Sequence, residues 1–222
     1  MLLRIINKPN WFNLRITKPI SKVFGLDRGL PIDRFFIEKF LDSNKGVING
    51  TIMEVSDDVY SKKFGVIGSI FEVLHYANDN PKATIVGDLV NVETLPYGKI
   101  DCFICTQTLN FIYDVKGAIK GIHYVLKENG IALVTVAGIC QISRYDMDRW
   151  GDYWRFTDLS IRKLFEEVFG VGNVQVDFYG NVLAAISFLH GLAADELTLE
   201  ELLFKDQDYQ ILITVMAKKC SA

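Results

Sequence analysis

A chain of 222 residues, half of them hydrophobic, is long enough for one sizeable core and too short for two full domains. Its formal net charge of -3 argues against a nucleic-acid partner, which needs a basic face. The apolar run at residues 1–6 is too short for a signal peptide and is interrupted by Arg4, and no run approaches the roughly 20 apolar residues that span a bilayer, so a soluble, cytoplasmic protein is expected.

Residues 1–34 form a basic arm carrying Arg4, Lys8, Arg15, Lys18, Lys22, Arg28 and Arg34, punctuated by Pro9, Pro19 and Pro31. Trp11, Phe12 and Phe24 are its packing residues, and its cations are either simply solvated or guide an anionic substrate. The remaining residues, 35–222, make up the main domain.

Residues 32–41 space their apolar side chains as a helix does, and Ser43-Asn44-Lys45-Gly46 ends it. A buried strand follows from Gly50 and closes on Glu54. The chain then turns through Val55-Ser56-Asp57-Asp58-Val59-Tyr60, without the glycines that nucleotide-binding turns usually need.

Short apolar runs at 69–75, 83–89, 100–106 and 131–136 suit parallel strands buried on both faces, with a ligand crevice beyond their carboxyl ends. Between the last two runs, residues 114–127 read as an amphipathic helix with Val115, Ala118, Ile119, Ile122 and Leu126 inward, started by Asp114 and closed by Asn129-Gly130. Strand, helix and strand in that order imply a parallel crossover.

An aromatic and charged loop, 145–156, leads into a helix at 158–169, capped by Thr157 or Asp158 and ended near Gly170 and Gly172. A strand at 174–179, an apolar helix at 182–192 and a last strand at 210–217 complete the chain. The two late strands are expected to pair antiparallel at a sheet edge.

Cys102 and Cys105 form a Cys-x-x-Cys, but inside a strand, positions three apart point to opposite faces. They read as small buried hydrophobes, and no metal site is expected. His123 and His190 fall within helices and read as structural.

Ile52-Met53-Glu54-Val55, Gly87-Asp88-Leu89, the run from Ile100 to Leu109 and Leu126-Lys127-Glu128-Asn129-Gly130 together resemble a class I S-adenosylmethionine-dependent methyltransferase. The resemblance covers nearly the whole chain beyond the arm. It implies an α/β fold: a Rossmann-like, mostly parallel seven-stranded sheet with an antiparallel edge strand and helices on both faces.

The superfamily usually carries Glu/Asp-x-Gly-x-Gly-x-Gly where this chain has Glu54 to Tyr60. An acidic turn suits a sulfonium cofactor and opposes a pyrophosphate, which seeks bare amides at a helix start. The block Trp150-Gly151-Asp152-Tyr153-Trp154-Arg155-Phe156-Thr157 is similar to bacterial methyltransferase-like proteins that act on sugars or glycans.

Carried onto this chain, the resemblance implies S-adenosylmethionine as cofactor. Glu54, Val55, Ser56, Asp57 and Tyr60 would hold its methionine end, Glu72 and Val73 the ribose, and Asp88 and Leu89 the adenine, with Thr106, Gln107 and Thr108 on the floor near the methyl group.

For the acceptor, Tyr145, Trp150, Trp154 and Arg155 offer aromatic faces and a cation. A hydroxyl acceptor needs a base, and His75, Asp146, Asp152 and Tyr153 are available. The expected function is methyl transfer to an oxygen or nitrogen of a small molecule or saccharide; the alternative is a methyltransferase-like binding or scaffold protein that has lost the cofactor.

Overall fold

A computed structural model of the chain describes residues 16–220. Seven strands, β1 (Thr51–Val55), β2 (Ile70–His75), β3 (Ile85–Val86), β4 (Ile100–Thr106), β5 (Leu126–Ala137), β6 (Val174–Tyr179) and β7 (Leu212–Lys218), form one sheet in the order β3-β2-β1-β4-β5-β7-β6. The first five strands run parallel to one another, while β7 runs antiparallel to both β5 and β6. The antiparallel pairing expected late in the chain is therefore present, with β7 as the reversed strand one place in from the edge.

The helices are α1 (Ile32–Ser43), α2 (Val59–Phe64), α3 (Val115–Val125), α4 (Arg144–Met147), α5 (Asp158–Phe169), α6 (Val182–His190) and α7 (Leu199–Leu203). Side chains alternate across each strand, so the sheet carries two separate cores. Met53, Phe103, Cys105, Val134 and Ile213 pack under α3 and α5. Ile52, Cys102, Ile104, Leu133 and Leu212 pack under α1 and α6 on the other face. The two cysteines thus lie on opposite faces of β4, and burial pushes both thiols up to about 12.

Local signals decide several boundaries. Helix α5 starts in a capping box: the Thr157 hydroxyl accepts the Ser160 N–H at 3.2 Å, and the Ser160 hydroxyl accepts the Thr157 N–H at 3.0 Å. Helix α3 starts where the Asp114 carboxylate accepts the Gly117 N–H at 2.8 Å. It ends at Val125, short of the expected 127, because Leu126 is already extended and pairs with Ile100. Strand β5 consequently begins at Leu126 rather than 131, with an irregularity opposite Ile100 and Cys102. Strand β3 keeps only two residues of the expected 83–89.

Helix α6 stops at His190, short of the expected 192, because Gly191 adopts a left-handed φ of 73°. The arm comes so close there that a Cβ on Gly191 would sit 2.5 Å from the Ser21 carbonyl oxygen. The Ile20 and Ser21 N–H groups both donate to the His190 carbonyl, at 2.9 and 3.0 Å, and Phe24 packs on Phe188. Of the other arm residues, Trp11, Phe12, Arg4, Lys8 and Arg15 lie outside the described residues. No helix among the described residues is long and apolar enough to cross a membrane.

The chain lays down β1, β2 and β3 outward in one direction, then returns to place β4 on the other side of β1. Loops leaving β1 and β4 therefore diverge, and a crevice opens between the carboxyl ends of these strands.

Candidate active site

Glu54, near the end of β1, is only 2% exposed. Its carboxylate accepts the backbone N–H of Tyr60 at 3.2 Å and of Ser61 at 2.7 Å, tying the strand to the first turn of α2. Burial pushes this carboxyl up to about 7; the Ser61 and Tyr60 bonds pull it down, and Asp57 adds to the rise.

Ser56 occupies the first glycine position of the superfamily pattern and keeps the left-handed backbone, with φ 71°. Its N–H donates to the Leu74 carbonyl at 2.9 Å, and its own carbonyl accepts from the Asn80 amide at 2.7 Å. These bonds hold a serine where a glycine would sit without steric cost. Asp58, at the second glycine position, has φ -124° and makes no such demand.

Beyond the carboxyl ends of β1, β4 and β5 lies a cavity of about 720 Å³. Glu54, Val55, Thr106, Gln107 and Ala137 line it from the strands, and Asp57 and Tyr60 from the glycine-poor turn. It is also lined by Lys22 and Phe24 of the arm, by Asp33 and Arg34 of α1, and by Tyr145, Asp146, Asp152 and Arg155 of the segment after β5. Ten of the residues singled out in the sequence thus meet here: Glu54, Val55, Asp57, Tyr60, Thr106, Gln107, Tyr145, Asp146, Asp152 and Arg155.

The others are placed elsewhere. Glu72 lies in the middle of β2, opposite Met53, where it takes the Thr84 hydroxyl. Val73 is buried beside it. The Asp88 carboxylate closes a turn by accepting the Val90 N–H at 2.9 Å, Leu89 packs in the core, and the Thr108 hydroxyl donates to the Thr106 carbonyl at 3.0 Å. None of these five residues lines the cavity, nor does Ser56.

At the carboxyl end of β2 stands His75 instead, 3.1 Å from the Asp79 carboxylate and edge-on to Trp150. His75, Asp79, Tyr145, Arg149 and Trp150 line a second hollow of about 460 Å³. Trp154 and Tyr153 stay exposed, and their polar atoms bond to their own chain. The Trp154 indole N–H is shared between the Ile112 and Tyr113 carbonyls, and the Tyr153 hydroxyl donates to the Trp150 carbonyl at 3.2 Å.

Among the expected bases, Asp152 is ion-paired with Arg155 at 2.5 Å and also accepts the Ser143 N–H. Asp146 accepts the Ser143 hydroxyl at 2.5 Å. Sequence reasoning passed over two other cavity residues. Asp33, in the first turn of α1, has a carboxyl that burial pushes up to about 6, and its hydrogen bond comes from the adjacent Arg34 N–H. Asn110, shortly after β4, is 3% exposed, and its side-chain oxygen has no donor; nor has the Gln107 side-chain oxygen. An acid on an amphipathic helix reads as solvated surface, and an isolated Asn carries no pattern, so neither gave a signal.

Residues 62–134, from α2 into β5, match the family model described as a methyltransferase domain. The match begins beyond the glycine-poor turn. The chain is similar in structure to a SAM-dependent methyltransferase from Archaeoglobus fulgidus, at 10% identity over 84% of this chain and 94% of that one, with a TM-score of 0.55. A S-adenosylmethionine-dependent methyltransferase from Mesorhizobium loti aligns at 16% identity over 87% and 100%, with a TM-score of 0.54. Haemonchus contortus phosphoethanolamine N-methyltransferase 2, in complex with S-adenosyl-L-methionine, aligns at 11% over 90% and 61%, with a TM-score of 0.50. No curated protein matches the chain in sequence.

Residues 62–134 thus match a methyltransferase-domain model, and the chain as a whole has the fold of these S-adenosylmethionine-dependent methyltransferases.

Proposed function

We propose that this protein transfers a methyl group from S-adenosylmethionine to a hydroxyl or amine of a small molecule or saccharide bound in the 720 Å³ cavity. The observation that carries this reading is the position of that cavity. It opens where the strand order reverses, between the ends of β1 and β4, and carboxylates rather than free helix-start amides border it.

The residues present fit a sulfonium cofactor. Asp57 supplies negative charge, and the amides at the start of α2 that would bind a phosphate are already taken by Glu54. When bound, the cofactor supplies an electrophilic methyl group for in-line displacement. The chain's own contribution is then positional: Thr106 and Gln107 line the cavity at the end of β4, and the 140–155 loop and the arm line it as well.

Tyr145 offers an aromatic face, and Asp146 and the Asp152–Arg155 pair offer hydrogen-bonding groups of the kind a sugar uses. The second hollow, around His75, Asp79 and Trp150, stands at the carboxyl end of β2 and suits the nucleoside end better than Glu72 does. Free cysteines, two of them deeply buried, accord with a reducing, cytoplasmic setting.

Calorimetry and thermal-shift measurements with S-adenosylhomocysteine test this reading. Saturable binding with a raised melting temperature is expected. Absence of both at millimolar ligand would instead support a methyltransferase-like binding protein that has lost its cofactor.

A further inference from the structure

We propose that residues 144–151 are the gate through which S-adenosylmethionine enters and leaves, latched by the Trp150 ring against His75 and Tyr76. This rests on the methyl-transfer reading and adds to it the step that controls access to the site.

The first observation is where the segment lies. Arg144, Tyr145 and Asp146 border the 720 Å³ cavity, and Tyr145, Arg149 and Trp150 border the hollow at the end of β2. Tyr145 is common to both, so a cofactor with one end near Glu54 and the other near His75 runs along this segment.

The second observation is how the segment is held. At its base, the Asp152 carboxylate pairs with Arg155 and accepts the Ser143 N–H at 3.1 Å, and Arg155 donates to the Gln141 carbonyl at 2.9 Å. The Tyr153 and Trp154 N–H groups both donate to the Asn110 carbonyl, at 2.9 and 3.3 Å. These bonds tie the two flanks to each other and to the chain after β4.

Between the flanks, the segment bonds to itself. The N–H groups of Met147, Asp148, Arg149 and Trp150 donate to the Ser143, Arg144 and Asp146 carbonyls, and the Arg149 guanidinium donates to the Tyr145 carbonyl and lies over the Tyr145 ring. Among the described residues, no hydrogen bond or ion pair joins 144–151 to anything beyond 143–153. None of its residues is buried.

What ties its far end to β2 is aromatic. The Trp150 ring stands edge-on to His75 and to Tyr76, with centroids 6.3 and 6.0 Å away. A pair of this kind is worth roughly two- to twelvefold in an equilibrium constant. A span with no buried side chain and ties this weak belongs to the least stable part of a fold, where local opening is frequent. Gly151, at one foot of the span, has φ 92°, a backbone that glycine adopts without steric cost.

Tyr76 separates a latch from a ligand contact. It is 64% exposed, borders neither hollow, and packs its ring on Trp150. Stopped-flow binding of S-adenosylhomocysteine to the full chain gives the association and dissociation rates. In Tyr76→Ala both are expected to rise by the same severalfold factor, with Kd within about twofold of the unmodified chain, because opening is favoured equally with and without ligand. Tyr76→Phe keeps the ring and should match the unmodified chain. Trp150→Ala should raise both rates, dissociation more, since Trp150 also borders the hollow. Without ligand, trypsin cleavage at Arg144 and Arg149 should quicken severalfold in Tyr76→Ala and not in Tyr76→Phe.

Unchanged binding rates in Tyr76→Ala overturn the latch while the cofactor reading stands. Slower association, or a rise in dissociation alone, shows that Tyr76 supports the bound state rather than shutting the site, and overturns the gate. Failure of S-adenosylhomocysteine to bind at all overturns the cofactor reading and the entry role with it, and unchanged cleavage in Tyr76→Ala overturns the latch independently of any ligand.

Discussion

Glu54→Gln should change how the stability of this protein depends on pH. The carboxyl is 2% exposed and is raised from 4.5 to about 7 in the fold, so the folded state holds its proton more tightly than the unfolded chain does. The sign follows from that. The stabilisation linked to this group is complete below the unfolded value and is lost as pH rises through the folded one. At 1.36 kcal/mol per unit, a rise of this size corresponds to about 3 kcal/mol of stability lost between pH ~5 and ~8.5.

Glutamine mimics the protonated acid in shape and charge, so it removes that dependence. It also gives up one accepted N–H, most readily the longer one from Tyr60 at 3.2 Å, at a cost of about 1 kcal/mol. The variant should therefore be slightly less stable than the unmodified chain near pH 5 and more stable near pH 8.5. Urea unfolding at several pH values gives the difference curve directly. A curve that stays flat across this range would show that the Ser61 and Tyr60 N–H bonds outweigh burial and keep Glu54 ionised throughout, contrary to the reasoning. Because Asp57 contributes to the rise, Asp57→Asn should move the midpoint of the curve to lower pH.

Ser56→Gly should raise stability by up to about 1 kcal/mol in the same unfolding assay, since it relieves a left-handed backbone at φ 71°; a loss would mean that the serine side chain supplies an unseen contact. Gly191→Ala should cost about 2 kcal/mol or more and speed proteolysis of the arm, because its Cβ would meet Ser21. Glu72→Ala should leave S-adenosylhomocysteine affinity within about twofold, whereas Trp150→Ala should weaken it severalfold; the reverse order in calorimetry would restore Glu72 as the ribose ligand.

Much of the fold was legible because its signals are local. The Thr157 box and Gly170 bound α5 at Asp158–Phe169, and the apolar runs of β4 and β6 coincide with the strands formed. Alternation along β4 was enough to send Cys102 and Cys105 to opposite cores. The boundaries that shifted are those decided by a neighbour: Leu126 joined β5 because Ile100 was there to pair with it, and α6 ended at Gly191 because the arm crosses it.

The site divides along the same line. Sequence alone determined the class of fold, the acidic character of the first turn and the meeting of Glu54, Thr106 and Gln107 at strand ends, because strand order and residue type suffice for these. Tertiary structure alone decided that Glu72 stops short of the crevice, that Asp152 is neutralised by Arg155, and that Asp33 and Asn110 face the cavity. Pairing register and the approach of distant segments set those positions, and neither is encoded in the periodicity of a single stretch of chain.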